Sequence, residues 1–123
     1  MSVLTLQVHL FSDFISTPTS INATLGSTAI FTCSASRGFI GWIVDGSLLS
    51  ELNTTYITAS FTGSTSTLHI PATWEHNNAI VTCYIAIRGV GFLDSDPVVL
   101  QVQGMFLPIY SPHMVILLLK YII

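Results

Sequence analysis

The chain has little charge and few basic residues. Only 7% of its 123 residues are Asp, Glu, Lys or Arg, against about 25% in an average soluble protein. A composition this poor in charge excludes a charged disordered tail and a coiled coil. Three Lys and Arg residues stand against six Asp and Glu residues, which excludes a nucleic-acid-binding protein that works by neutralising phosphates.

Long apolar runs are scarce as well. Apolar and polar residues alternate over residues 4–10, which predicts a strand rather than the apolar core of a signal peptide. The longest apolar run near the C-terminus is only the six residues 114–119, whereas a spanning helix needs about 20. We interpret residues 1–16 as a strand-like extension. Residues 105–123 are either a truncated membrane segment, which would attach the chain to a membrane, or a disordered tail.

No group of residues predicts catalysis, a metal site or a cofactor. The four His residues lack the spacing of zinc ligands, and the chain has no Gly-x-Ser-x-Gly motif. Asp94, Asp96 and Glu75 would supply too few oxygens for calcium. Gly89-x-Gly91 lacks the third glycine of a dinucleotide site. We therefore expect a protein that is not an enzyme and takes no small-molecule substrate.

Hydroxyl groups and short alternating segments take the place of charge. The chain contains 14 Ser and 14 Thr, and β-branched Thr suits the outer face of a strand. Turn signals such as Arg37-Gly38 and Asp45-Gly46 separate the segments. The residues predicted to face inward are Ala29, Phe31, Cys33, Ala35, Ile40, Trp42, Val44, Leu68, Ile70, Val81, Cys83, Ile85, Ile87, Val98, Leu100 and Val102.

These segments predict an all-β domain over residues 17–104. About seven strands with a turn every 8–12 residues are typical of a two-sheet antiparallel Greek-key β-sandwich. One of the predicted strands covers residues 56–61. The glycine-rich segment 89–96 is predicted to be a loop between the last two strands.

The two cysteines, Cys33 and Cys83, lie 50 residues apart. An even number of cysteines in a small β-rich chain favours a disulfide in an oxidising compartment. Two buried free thiols in a cytosolic protein are the alternative. A bridge over this separation would stabilise the domain by about 4 kcal/mol in the chain-entropy model.

Cys33, Trp42 nine residues later, and Cys83 together resemble an immunoglobulin-like domain of the intermediate or constant type. The resemblance implies that the cysteines bridge the two sheets and that Trp42 packs on the bridge. The chain departs from the family at the sixth strand. Val81 stands in place of the tyrosine two residues before the second cysteine, and Asn77 replaces an acidic residue.

Two asparagines begin N-glycosylation tripeptides. They are Asn22, in Asn-Ala-Thr, and Asn53, in Asn-Thr-Thr. Both fall in predicted turns or strand edges, where a glycan could attach. Glycans at these sites would add polar, hydrated groups to a surface that has few charged side chains.

Three apolar residues are candidates for contact with a protein partner. Phe92 and Leu93 lie at the predicted tip of the glycine-rich loop, and loops on a rigid scaffold often carry function. Trp74 lies in a loop region before the sixth strand. The alternative is that Phe92 folds back over the core and that Trp74 caps the end of the sandwich.

The resemblance implies an extracellular recognition module of a cell-surface receptor or adhesion protein. Such a module binds a protein ligand or makes a homophilic contact with another copy. The alternatives are a structural spacer in a large intracellular protein, where the cysteines stay reduced, and a non-functional fragment of a longer receptor.

Overall fold

The computed structural model describes residues 13–52 and 56–104, which form two β-sheets. The four-stranded sheet has the order β1-β3-β7-β6. Its strands are β1 (Phe14–Ser16), β3 (Thr28–Ala35), β6 (Thr58–Thr62) and β7 (Thr65–Pro71). The six-stranded sheet has the order β2-β10-β8-β4-β5, with β9 also paired to β8. Its strands are β2 (Ile21–Thr24), β4 (Phe39–Val44), β5 (Ser47–Leu48), β8 (Ala79–Ile87), β9 (Gly91–Asp94) and β10 (Val98–Gln103).

The two-sheet sandwich predicted from the sequence is confirmed, and one strand pair departs from the antiparallel arrangement. β2 pairs with β10 in parallel, with Ile21 opposite Leu100. β1 and β2 follow each other in the chain, yet each forms an edge of a different sheet. Because β2 arrives from the other sheet and not through a hairpin, it is free to run parallel to its neighbour.

The structure also differs from the expected strand positions at three places. Phe14–Ser16, which we placed in the N-terminal extension, pairs with β3 and so belongs to the four-stranded sheet. The strand expected over residues 56–61 is β6, which begins at Thr58. The expected loop over residues 89–96 contains a strand, β9, which forms a hairpin with β8. Gly89 and Gly91 adopt positive φ angles of 80° and 114° there, which lets the chain reverse tightly.

The core lies between the sheets and consists of the stripes predicted to face inward. Side chains alternate across each strand, so one face of every strand points to the other sheet. Four apolar residues outside the predicted stripes are also buried, namely Ala23, Ile57, Ala72 and Ala79. Two short 3₁₀ turns, Leu49–Glu51 and Trp74–His76, complete the described elements.

Asn77 helps to close the end of the sandwich where the family has its corner tyrosine. Its side-chain Oδ1 accepts a hydrogen bond of 2.8 Å from the backbone N–H of Val102. The backbone N–H of Asn78 donates to the carbonyl of Leu100 at 2.8 Å. Val81, in the tyrosine's place, is fully buried. The start of β8 is therefore tied to β10 without a tyrosine hydroxyl.

Candidate functional site

The predicted disulfide is confirmed, and it joins the two sheets. Cys33 on β3 is bonded to Cys83 on β8, with 6.5 Å between their Cα atoms. Both residues are fully buried. The part of the chain that the structure describes contains no free cysteine.

Trp42 lies beside this bridge, on β4 opposite Cys83. Its indole Nε1–H donates a buried hydrogen bond of 2.9 Å to Oγ of Ser66. Ser66 faces inward from β7, where it pairs with Cys33, and it is fully buried. The indole therefore fills the middle of the sandwich with its one polar atom satisfied. Sequence reasoning did not single out Ser66.

The outer side of the six-stranded sheet carries an apolar surface over β5, β4, β8 and β9. Phe92 and Phe39 are its most exposed members, with 73% and 61% of their surface in contact with solvent. The outward side of an antiparallel sheet is usually polar. We call this surface the apolar face and define it by Phe39, Ile43, Leu48, Tyr84, Ala86 and Phe92.

Tyr84 lies at the centre of the apolar face. Its ring crosses the backbone of Gly41, so closely that a Cβ atom at position 41 would overlap it. The ring also meets that of Phe92 edge to face, with 5.7 Å between centroids. Gly41 is thus required for Tyr84 to lie flat against the sheet.

A hollow opens on each side of Tyr84. The first hollow, of about 270 Å³, reaches toward β6, and its lining includes Phe39, Trp42, Leu49, Ala59, Phe61 and Tyr84. The second hollow, of about 360 Å³, is lined by Ile43, Leu48, Tyr84, Phe92 and Asp94. Both have the size and apolar lining to admit side chains of a protein partner.

The apolar face is flanked by one carboxylate and one guanidinium. Asp94 lies on β9 opposite Tyr84. Arg88 follows the last residue of β8 and is exposed, in the turn closed by the hydrogen bond from the Val90 N–H to the Ile87 carbonyl. Within the described ranges neither residue forms an ion pair. The ion pair found there joins Arg37 to Asp13, and Nε2 of His76 lies 3.7 Å from Oε1 of Glu75.

The structure separates the three residues that the sequence marked for partner contact. Phe92 lies on the apolar face, but in strand β9 and not at a loop tip. Leu93, the next residue, packs against the buried core, because neighbouring residues of a strand point to opposite faces. Trp74 is 52% exposed but precedes β8, at the end opposite to the hairpin that carries Phe92. Of the three, only Phe92 belongs to the candidate site.

Sequence reasoning missed the members of the apolar face on β4 and β8. A usable signal was present in β4, which reads Phe-Ile-Gly-Trp-Ile-Val from Phe39 to Val44. A strand with one polar side would alternate, and this one is apolar on both sides.

The same outer sheet surface is polar at its other edge. Asn22 is exposed on β2 and pairs with Gln101 on β10. Thr24, the third residue of its acceptor tripeptide, is exposed as well. The second acceptor, Asn53, lies outside the described residues.

Residues 13–52 and 56–104 contain neither a candidate metal site nor a candidate membrane-spanning helix. No group of three or more His, Cys, Asp or Glu residues there could hold a metal ion. In the same residues no helix is long and apolar enough to cross a membrane. The apolar segment 105–123 lies outside the described residues.

Comparison with known proteins gave one family and many similar structures. Residues 13–89 match the model of the CD80-like C2-set immunoglobulin domain. Titin domains in complex with telethonin align with a TM-score of 0.66 and 26% identity, over 77% of this chain and 49% of that one. A complex of titin and obscurin-like 1 immunoglobulin domains aligns with a TM-score of 0.63 and 14% identity, over 76% of this chain and 95% of that one. The twitchin kinase region from C. elegans aligns with a TM-score of 0.61 and 22% identity, over 73% of this chain and 16% of that one. No curated protein matches the sequence significantly.

Proposed function

The chain belongs to the family of CD80-like C2-set immunoglobulin domains, and on this premise we propose that it is an extracellular recognition module of a cell-surface receptor or adhesion protein. It works by binding and not by turnover. The apolar face is the surface that meets the protein partner. The observation that carries this proposal is the exposure of Phe92 and Phe39 on a sheet surface that is usually polar.

Exposed apolar surface of this kind is costly unless a partner covers it. Contiguous apolar patches on soluble domains mark contact sites more often than scattered apolar residues do. The two hollows beside Tyr84 could receive side chains of the partner. Side chains anchored in such pockets supply most of the binding energy at many interfaces. Among the structural neighbours, titin domains form a complex with telethonin, so a sandwich of this fold serves protein binding there.

The core beneath the apolar face keeps it rigid. β4 and β8 carry Phe39 and Tyr84 outward, and the same strands carry Trp42 and Cys83 inward. The disulfide and the indole hydrogen bond therefore fix the two strands that hold the face. A preformed surface loses little conformational entropy on binding.

Two features support an extracellular location. A buried disulfide persists in oxidising compartments, and the Asn22 acceptor is exposed at a sheet edge. The structural likeness to titin domains favours the intracellular spacer as the second candidate. In that case the two cysteines would be reduced.

The location is tested on the protein from its natural source. Its mass is measured with and without reduction before thiol alkylation, and again after glycosidase treatment. We expect alkylation of the two cysteines only after reduction, and a loss of mass on deglycosylation. Free thiols together with an absence of sugar would favour the intracellular spacer.

The binding role is tested with the labelled full-length chain on cells. Phe92→Ser removes the most exposed aromatic ring of the apolar face, and we expect cell binding to fall by about tenfold or more. Ile30→Ser is the matched control, because Ile30 is 51% exposed on the opposite sheet. Equal binding by the two variants would refute the apolar face as the contact surface.

A further inference from the structure

The second hollow and the tip of the β8–β9 hairpin are complementary to each other. The hollow is mostly apolar, and its lining includes Asp94. The hairpin tip carries Val90, which is 57% exposed, and Arg88 two residues before it. We propose that the hairpin tip of one copy of this chain occupies the second hollow of another copy, in a symmetric face-to-face dimer. The proposal rests on the proposed function and names the partner as a second copy.

The positions of the charges define the symmetry of this dimer. Phe39, Ala86 and Phe92 form one row across β4, β8 and β9. Arg88 comes two residues after Ala86 in the chain, in the hairpin turn beyond one side of this row, and Asp94 lies on β9 two residues to the other side. A two-fold axis along the row therefore brings Arg88 of one copy to the same height along the strands as Asp94 of the other copy. The two residues then differ in position only across the sheet, by the spacing of β8 and β9, about 4.8 Å. An arginine side chain spans this distance.

A second face-to-face arrangement is disfavoured by charge. An axis parallel to the strands would place Arg88 of one copy at the level of Arg88 in the other, and Asp94 at the level of Asp94. Like charges brought together at an interface oppose association. The axis along the row makes two opposite-charge pairs, related by symmetry as in any isologous contact.

The same axis covers the exposed aromatic rings. Phe39 and Phe92 lie on the axial row, so each lies at the level of its own counterpart in the second copy. Ala86 separates them with a small side chain. The contact thus removes from water the two rings whose exposure marks the apolar face.

The size of the contact predicts a weak dimer. Four strands about 4.8 Å apart and about six residues long cover roughly 300–400 Å². Stable complexes bury about 800 Å² on each partner. We therefore expect a dissociation constant between about 10 µM and 1 mM.

The test is sedimentation equilibrium of the full-length, disulfide-bonded chain with charge-reversal variants. Arg88→Asp alone leaves two acidic residues facing each other, and Asp94→Arg alone leaves two basic ones. Each variant should dimerise about tenfold or more weakly than the unaltered chain. A mixture of the two variants should associate again, because both charge pairs of the mixed dimer are then attractive.

Further variants separate the contact from loss of folding. Val90→Ser should weaken the dimer, whereas Ile30→Ser on the opposite sheet should not. Unchanged thermal unfolding of each variant shows that its fold is intact. A chain that stays monomeric at about 1 mM, or a mixture that associates no better than its components, would overturn the dimer.

The failure of this proposal is distinguishable from failure of the proposed function. If the chain is monomeric and Phe92→Ser still abolishes cell binding, the partner is a different protein and the proposed function stands. If the chain is monomeric and Phe92→Ser changes nothing, both proposals fall.

Discussion

The hydrogen bond between Trp42 and Ser66 permits a quantitative prediction. Ser66→Ala removes the acceptor of the indole N–H, which lies 2.9 Å from the serine Oγ in the buried core. Among the described residues the indole N–H has no other hydrogen-bond partner. A buried donor left unsatisfied costs about 1–3 kcal/mol. We expect the free energy of unfolding to fall by about 2 kcal/mol and the melting temperature by about 10 °C.

A double-mutant cycle isolates the hydrogen bond from packing. Trp42→Phe removes the donor, at the cost of a cavity. In that background the serine hydroxyl is itself a buried group without its partner. Ser66→Ala should then cost no more than about 0.5 kcal/mol, which gives a coupling energy of about 1–2 kcal/mol.

The assay is urea unfolding of the full-length oxidised chain followed by far-UV circular dichroism. Ser60→Ala is the matched control, because Ser60 makes a hydroxyl–hydroxyl bond of 2.8 Å to Thr67 in an exposed position. Its loss should cost less than about 0.5 kcal/mol. The reasoning is refuted if Ser66→Ala costs as little as this control, or costs the same with and without the indole.

Three further predictions concern the bridge, the apolar face and the polar edge. Replacing Cys33 and Cys83 together by Ala should lower the free energy of unfolding by about 4 kcal/mol in denaturant titrations, and a loss below about 1 kcal/mol would contradict the entropic argument. Gly41→Ala should displace the ring of Tyr84 and reduce binding by the apolar face, and an unchanged Tyr84 ring resonance by NMR would contradict this. Asn22→Gln should remove one glycan from secreted protein, seen as a lower mass, and an unchanged mass would exclude the site.

The sandwich was predictable because, in a two-sheet core, every second residue of each strand faces inward and is apolar. Ile40, Trp42 and Val44 are two residues apart and all face inward. Period-two alternation identifies such residues without knowledge of their neighbours. The hairpin strand β9 was missed because Gly89 and Gly91 look like loop residues, although positive φ angles are also what a tight hairpin turn requires.

The candidate site was less predictable, since it is assembled by register between distant strands. Phe39 and Phe92 are 53 positions apart in the chain, and they share a row only because both strands pair with β8 at Ala86. Sequence alternation gives the side of a strand but not which residues of two strands lie opposite each other. The same limit explains why the parallel pairing of β2 with β10 could not be foreseen.

The parallel pairing of β2 and β10 bears on how the domain responds to tension. β2 is entered from its N-terminal end and β10 is left at its C-terminal end, and these ends lie at opposite extremities of the paired region. A pull between a preceding and a following segment therefore drags the two strands lengthwise past each other. All the hydrogen bonds between them share that load and must fail together, whereas an antiparallel pair would open one bond at a time. The parallel pair therefore resists lengthwise tension better than an antiparallel pair in the same place would.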